Sequence, residues 1–202
     1  PYHVGGVIAQ RSNLILQNPT KFKNSYNIDV RIEHEVIAVH PDGQTVTVKN
    51  LATNEEFTDH YDDLIIATGS SPVRPPIPGI NSAKVMSLWT IPDADQIKSQ
   101  VAASKLKKVV VAGGGFIGLE LAENLLHLGF EVHLVEMMDQ VLAPLDPEMA
   151  RLVEAAMTAE GIKLHLKTGV SAFTENASTL LVSLSDGTTI EADFAAVAAG
   201  VK

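Results

Sequence analysis

The most regular pattern of apolar and polar positions lies in the middle of the chain. An apolar, β-branched run at residues 108–112 ends in glycines, and the helical spacing of residues 119–126 follows directly. Gly129 then ends the predicted helix, and a second apolar strand at residues 131–135 leads into Glu136. This order predicts a strand–helix–strand crossover with Gly113, Gly115 and Gly118 at its first turn.

Each of the three glycines has a physical role in a turn that binds a dinucleotide. Gly113 lets the chain turn sharply out of the strand, Gly115 leaves room for a pyrophosphate, and Gly118 lets the helix lie close on the sheet. The helix N-terminus offers free N–H groups and the positive end of its dipole to the phosphates. With the carboxylate of Glu136 at the end of the next strand, the spacing predicts a dinucleotide site. The alternative is a tight strand-to-helix turn that binds nothing.

The rest of the chain shows alternating helical and extended patterns. Before the crossover, they predict a helix from Asn18 and Pro19 through Tyr26, a strand at 28–32, an apolar stretch at 36–39, a turn at 41–43, hairpin strands at 45–48 and 56–58, and a buried parallel strand at 63–69. They also predict an amphipathic helix at 92–104 and a helix at 147–159 that Gly161 ends. Four prolines within residues 70–79 predict an extended linker, which we take as the domain boundary.

The sequence also repeats itself. Residues 28–36 align without a gap on residues 162–170, and each segment follows a helix that begins near a proline. Each is followed by a hairpin pattern and then by an acid, an apolar strand and a glycine. We interpret this as a duplicated nucleotide-binding unit whose two copies superpose, with both final strands central and parallel; the alternative is the general similarity of α/β sequences. The first copy has no room for a glycine loop, so we expect that loop upstream of Pro1 and expect the chain to be a fragment.

Composition narrows the possible partners. A net charge of −9 argues against nucleic acid or an anionic membrane surface, and no apolar run approaches the length of a membrane span. The chain contains no cysteine, and its seven histidines show no pair at ligand spacing in a common element. We therefore expect a cytoplasmic protein without a disulfide framework or a metal site, and we interpret the histidines as structural or surface residues.

These motifs resemble those of the flavin-dependent pyridine nucleotide-disulfide oxidoreductases along essentially the whole chain. The resemblance rests on residues 67–72 before the proline linker and residues 113–120 after it. Residues 1–3, 8–12, 34–36 and 144–150 resemble the branch of coenzyme A-disulfide reductases, NADH-dependent persulfide reductases and NADH oxidases. The implied fold is α/β: residues 79–202 form a Rossmann-like NAD-binding domain, with a parallel sheet, helices on both faces and a β-meander. Residues 1–78 form the central part of a related but incomplete FAD-binding domain.

The resemblance also implies roles for individual residues. Contacts to FAD are expected from the backbone of Val36 and from Thr68 and Gly69, and Arg11 is expected to face the coenzyme A groove. The NAD site is expected to include Gly113, Gly115, Phe116, Ile117, Gly118, Glu136 and Gly200. Phe116 matches the aromatic gate over the nicotinamide pocket, and Glu120 matches a carboxylate near nicotinamide and flavin. The redox-active cysteine of this branch is expected just before Pro1, and the parent protein is expected to be a homodimer.

Two classes of function follow. In the first, the parent enzyme passes hydride from NADH through FAD and the cysteine to a coenzyme A disulfide, a persulfide or a similar sulfur substrate. NADH oxidase or peroxidase activity, with oxygen or peroxide as acceptor, is the alternative within this class. The second class is a non-catalytic module that holds NAD. The 202 residues alone are expected to be inactive, and the absence of a coenzyme A-binding lysine near Tyr26 argues against that substrate.

Overall fold

The computed structural model describes all 202 residues, which divide into two compact units. The smaller unit is Ile15–Gly69, and the larger unit combines Pro1–Leu14 with Ser70–Lys202. The division at Gly69 lies just before the proline-rich stretch, whereas the predicted ranges were 1–78 and 79–202. The assignment of those ranges to FAD and NAD stays a prediction.

The smaller unit contains one helix and one antiparallel sheet. Helix α1 (Pro19–Tyr26) begins at the predicted Asn18, whose side-chain oxygen accepts a hydrogen bond from the backbone N–H of Lys21 at 2.9 Å. The strands are β1 (His34–His40), β2 (Thr45–Asn50) and β3 (Glu56–His60), and they pair in that order. The predicted turn at 41–43 is a short 3₁₀ helix between β1 and β2.

Two strands predicted in this unit are wrong. Residues 28–32 and 63–69 have no strand structure, and Ile65 and Ile66 are 89% and 73% exposed. A parallel strand needs a neighbour to bind its N–H and C=O groups. The only sheet of the smaller unit is β1-β2-β3, so neither segment has a strand beside it.

The larger unit contains three helices and two sheets. Its elements are β4 (Val85–Ser87), α2 (Ile91–Ala103), β5 (Lys108–Ala112), α3 (Phe116–His127), β6 (Glu131–Val135), α4 (Pro147–Ala159), β7 (Lys163–His165), β8 (Val170–Glu175), β9 (Leu180–Leu184), β10 (Thr189–Ala192) and β11 (Phe194–Val197). Five strands form a parallel sheet in the order β4-β11-β5-β6-β7, and β8, β9 and β10 form an antiparallel meander. The predicted α/β fold with a parallel sheet and a meander is confirmed.

Alternate residues of the central strand β5 pack into two different cores. Val109 and Val111 join a cluster with residues of α2, α3 and α4, whereas Val110 joins a cluster with residues of the meander. The predicted helices on both faces of the sheet are therefore wrong. All three helices pack on one face, because the meander occupies the other face, where a second layer of helices would otherwise lie.

The N-terminal segment is anchored to the larger unit by its own side chains. Val4 is 2% exposed and belongs to the core cluster between the sheet and the three helices. A Cβ at Gly5 would collide with the Asn124 side chain of α3. Arg11 lies in a 3₁₀ helix (Arg11–Leu14), and its Nε donates to Asp95 of α2 at 2.8 Å. These contacts explain why Pro1–Leu14 does not belong to the smaller unit.

The repeat is visible in the backbone of the two units. The ungapped alignment pairs Asn27 (φ 54°) with Gly161 (φ 100°) and Glu33 (φ 56°) with Lys167 (φ 53°), all in the left-handed region. The register of β1 and β2 shifts between Val36 and Ala38, and that of β8 and β9 shifts between the aligned Val170 and Ala172. Shared left-handed residues and a shared bulge favour duplication over chance similarity. The predicted equivalence of the final strands is wrong, because β11 is central and parallel while residues 63–69 form no strand.

Candidate nucleotide-binding site

The first turn of the crossover is shaped by two close approaches of the backbone. Gly113 follows β5 with a φ of 119°, and a Cβ there would collide with the carbonyl oxygen of Ala198. A Cβ at Gly118 would in turn collide with the carbonyl oxygen of Gly113. The helix α3 can therefore lie against the end of β5 only because both residues are glycine, as the sequence predicted.

Gly115 differs from its neighbours because nothing surrounds its missing side chain. It is the N-cap residue of α3, with φ −80° and ψ −178°, which is an ordinary extended backbone. No heavy atom lies within 4 Å of the position that a Cβ would occupy. This open space lies against the first turn of α3, where N–H groups lack helical partners and the dipole favours an anion. The residues present therefore fit the pyrophosphate of a dinucleotide.

The carboxylate of Glu136 lies beside the glycine turn. Its Oε2 accepts a hydrogen bond from the backbone N–H of Gly114 at 2.6 Å, and its Oε1 accepts one from Met138 at 2.8 Å. Glu136 directly follows β6, and β6 pairs with β5 in parallel, so the carboxyl ends of the two strands meet at one edge. Each carboxylate oxygen retains acceptor capacity, which is the chemistry that ribose hydroxyls require.

Phe116, Ile117 and Glu120 lie at the start of α3. Phe116 is the first helical residue and is 63% exposed, so it is not a core aromatic residue. Ile117 is 37% exposed, and Glu120 is half-buried one turn beyond Phe116. The structure brings the three residues to the open end of the helix, and their roles in hydride transfer stay predictions.

Gly200 lies at the same edge of the parallel sheet. The backbone N–H of Ala198, just after β11, donates to Ala112 of β5 at 2.8 Å, and Gly200 follows two residues later with a φ of 89°. Its carbonyl oxygen accepts a hydrogen bond from Val73 at 2.9 Å. The larger unit therefore brings the glycine turn, Glu136 and Gly200 to the carboxyl ends of β5, β6 and β11.

The remaining predicted residues are not part of this edge. Val36 lies at the bulge of β1, and Thr68 and Gly69 are exposed in the segment without strand structure. These predicted FAD contacts belong to the smaller unit. Val36 is part of its sheet, and the segment that contains Thr68 and Gly69 does not pair with that sheet. Arg11 forms its ion pair with Asp95, and its predicted contact with coenzyme A stays a prediction.

Sequence reasoning missed a pair of hydrogen-bonded histidines whose rings lie edge to edge, with their planes 16° apart. His133 of β6 and His165 of β7 lie with their ring centroids 5.2 Å apart, and Nδ1 of His133 is 3.0 Å from Nε2 of His165. Each strand contains only one of the two histidines, so no single element shows the pair. The signal was available: the repeat predicts that residues 162–170 contain a strand, and the crossover places that strand near β6. The structure contains no group of three or more His, Cys, Asp or Glu residues arranged to hold a metal ion.

Fold and site together define a dinucleotide-binding protein of the Rossmann type. The family of pyridine nucleotide-disulphide oxidoreductases matches residues 3–202. The chain therefore belongs to this family, whose cofactors are the predicted FAD and NAD. None of its helices is long and apolar enough to cross a membrane.

Three similar proteins lie in the predicted branch. An NADH oxidase of Enterococcus faecalis is 37% identical over 172 residues, which is 85% of this chain and 38% of that protein. A coenzyme A disulfide reductase of Staphylococcus aureus is 32% identical over 179 residues, covering 89% of this chain and 40% of that protein. A solved NAD-dependent persulfide reductase from A. fulgidus superposes with a TM-score of 0.91 at 36% identity, covering all of this chain and 37% of that one. The chain thus spans about two fifths of the length of the relatives it matches.

Proposed function

We propose that this chain provides the NADH-binding part of a flavoprotein that reduces a coenzyme A disulfide, a persulfide or a similar sulfur substrate. The observation that carries the proposal is the open space at Gly115, between the end of β5 and the first turn of α3. The proposed overall reaction with a disulfide consumes NADH and one proton and yields NAD⁺ and two thiols. The flavin, when bound, passes the two electrons from the nicotinamide to sulfur.

Different residues of the larger unit bind different parts of NADH. The first turn of α3 receives the pyrophosphate over Gly115, and Glu136 accepts hydrogen bonds from the adenine ribose. Phe116 is exposed at the start of the helix, where its ring would cover the nicotinamide pocket. Glu120 and the backbone at Gly200 orient the nicotinamide ring, and Ile117 contributes its backbone N–H to the phosphates.

A second candidate acceptor is oxygen. The NADH oxidase of Enterococcus faecalis, at 37% identity, favours this alternative, in which the NADH site keeps the same residues. Under either proposal the parent protein is a homodimer that acts on a small molecule, and Arg11 contributes to substrate binding only in the coenzyme A case.

The experiment is a calorimetric titration of NADH into the wild-type chain and into Gly115→Val. A branched side chain would fill the space that the pyrophosphate needs, so we expect affinity to fall by about 100-fold or more, which is about 3 kcal/mol. The extended backbone at Gly115 accepts valine, but valine is a poorer N-cap than glycine, so we expect the melting temperature to fall by only a few degrees. Gly115→Ala should give an intermediate loss.

Gly43→Val is the matched control. Gly43 also has ordinary backbone angles and only one neighbouring atom within 4 Å, and it lies in the smaller unit. We expect the Gly43→Val variant to bind NADH with the affinity of the wild type. Unchanged affinity in a folded Gly115→Val variant would show that the turn is not the phosphate site.

A further inference from the structure

His133 and His165 belong to a charged cluster on the meander-facing side of the parallel sheet. Nε2 of His133 is 2.9 Å from Oε1 of Glu131. The same carboxylate oxygen lies 2.7 Å from Nζ of Lys163 and 3.2 Å from Nζ of Lys108. These hydrogen bonds, that of Lys163 first, lower the pKa of Glu131 to about 2. Glu131 is therefore a carboxylate acceptor at every pH considered below.

The hydrogen bonds assign the protons of the two rings. Since Glu131 accepts from Nε2 of His133, that nitrogen carries the hydrogen, and Nδ1 of the neutral ring is an acceptor. Nε2 of His165 must then donate to it across the 3.0 Å contact. His165 can gain a proton on its other nitrogen without losing this bond. Protonation of both rings places hydrogens on both facing nitrogens and breaks it.

The surroundings favour the neutral rings. Burial lowers the pKa of His133, Glu131 raises it, and His165 and Lys163 lower it. Burial also lowers the pKa of His165; Asp186 in the turn between β9 and β10 raises it, and Lys163 lowers it. Because both values lie below the ordinary 6.5, the pair stabilises the fold above about pH 6.5, and this contribution is lost as the pH falls.

The pair is joined to the nucleotide site through the backbone. His165 is the last residue of β7, which has three residues and lies at the edge of the sheet. Its carbonyl oxygen accepts a hydrogen bond from the N–H of Glu136 at 2.9 Å, and the N–H of Thr168 donates to the carbonyl of Glu136 at 3.0 Å. Displacement of this short edge strand therefore removes the support from the residue whose carboxylate binds Gly114.

We propose that His133 and His165 form a pH-sensitive positioning pair, which holds Glu136 in place while unprotonated and weakens nucleotide binding once both rings are protonated. The inference rests on the proposed NADH site. It adds regulation by pH that acts from outside the site. The regulated feature is a hydrogen bond between β6 and β7, and its two residues do not contact the nucleotide.

The test is a calorimetric titration of ADP-ribose, which carries the pyrophosphate and adenine ribose and lacks the nicotinamide. For the wild type, we expect affinity to fall about fivefold or more between about pH 8 and about pH 4.5, because both rings must be protonated and both pKa values lie below 6.5. In His165→Gln, a neutral amide faces His133 and can accept or donate a hydrogen bond at either pH. The ratio of the affinity at high pH to that at low pH should therefore shrink to about twofold or less. His133→Gln should behave alike and serves as the second variant if the first folds poorly.

His127→Gln is the matched control, because His127 is exposed at the end of α3 and should leave the wild-type ratio unchanged. All variants retain Glu136, so any pH dependence that comes from Glu136 itself would persist in His165→Gln and His133→Gln. A wild-type ratio within about twofold, or an unchanged ratio in both glutamine variants, would overturn the inference. Failure of the wild type to bind ADP-ribose at about pH 8 would instead overturn the proposed nucleotide site.

Discussion

At the scale of single residues, the glycine turn separates packing from ligand binding. At Gly113 and Gly118, a backbone carbonyl oxygen lies where a Cβ would be. At Gly115, the position of a Cβ is open space. The same residue type therefore serves two purposes within six positions. Substitution at a packing glycine should reduce stability, and substitution at Gly115 should reduce affinity.

Gly118→Ala tests the packing role. The new Cβ would collide with the carbonyl oxygen of Gly113, so we expect the free energy of unfolding to fall by about 1–3 kcal/mol. Urea unfolding followed by circular dichroism measures this change. Gly115→Ala is the control: it meets no clash and should lose at most about 1 kcal/mol, because alanine is a poorer N-cap than glycine. Equal unfolding midpoints for the two variants would contradict the assignment of Gly118 to packing.

Glu136 should make the site prefer NADH over NADPH. The carboxylate is held beside the turn by Gly114 and Met138, and its charge opposes the 2′-phosphate of NADPH. The next residues, Met137 to Asp139, include no arginine that could bind this phosphate. We expect a preference of about tenfold or more in parallel titrations, since like charges at close range cost at least about 1.4 kcal/mol.

Two variants separate the charge of Glu136 from its hydrogen bonds. Glu136→Gln keeps an acceptor and removes the charge, so it should narrow the preference mainly by improving NADPH binding. Glu136→Ala should also narrow the preference for NADH over NADPH, and it should weaken NADH binding because the acceptor for the ribose hydroxyls is lost. Equal or tighter binding of NADPH by the wild type would show that the carboxylate does not select the nucleotide.

At the scale of elements, a buried carboxylate joins the beginnings of two neighbouring strands. Asp193, which is 4% exposed, lies directly before β11. Its oxygens accept hydrogen bonds from the backbone N–H groups of Lys105, Leu106 and Lys108 at 2.8, 3.1 and 3.0 Å. The chain between α2 and β5 thus obtains hydrogen-bond partners for its partly buried N–H groups.

Asp193→Ala should remove these partners and lower the free energy of unfolding by about 2–4 kcal/mol. The repeat supplies the matched control: Asp62, the corresponding acid of the first copy, is exposed, and its substitution by alanine should change stability by less than about 0.5 kcal/mol. Thermal and urea unfolding of the two variants measure the difference. Equal losses would indicate that the burial of Asp193 contributes nothing.

Elements with local signals were predictable from the sequence, and elements that depend on a neighbour were not. Helices α1 and α4 begin and end at the predicted residues, because Asn18, the prolines and Gly161 mark their ends locally. Residues 28–32 and 63–69 carry strand patterns, but a parallel strand needs a partner that the smaller unit does not offer. The aligned residues 163–165 and 194–197 do form strands, because β6, β5 and β4 lie beside them.

The candidate site shows the same division. The glycine turn and Glu136 were predictable, because one crossover contains them and each residue type has a stated task. The histidine pair was not predicted, because its two members are far apart in sequence and meet only through the pairing of β6 with β7. The predicted helices on both faces also failed, because the sequence pattern of β5 shows that both faces are buried but not what covers each one.

At the scale of the whole molecule, the two units differ in how well they bury their apolar residues. The larger unit contains two core clusters that cover both faces of its parallel sheet. The smaller unit leaves many large apolar side chains exposed, and Leu16, at 77%, and Ile65, at 89%, are examples. Exposed apolar surface of this extent is typical of a surface that contacts another part of a protein.

A polypeptide of these 202 residues should bind NADH without oxidising it. The larger unit contains the glycine turn, Glu136 and Gly200, so we expect the polypeptide to bind NADH. It contains no cysteine, and therefore no thiol to carry electrons to a sulfur substrate. The residues predicted to contact FAD lie in an open sheet and an unpaired segment, so we expect a colourless preparation. Absorbance at the NADH band should stay constant with a disulfide, a persulfide or oxygen, whereas a yellow preparation that holds FAD tightly, or any flavin-dependent consumption of NADH, would contradict the prediction.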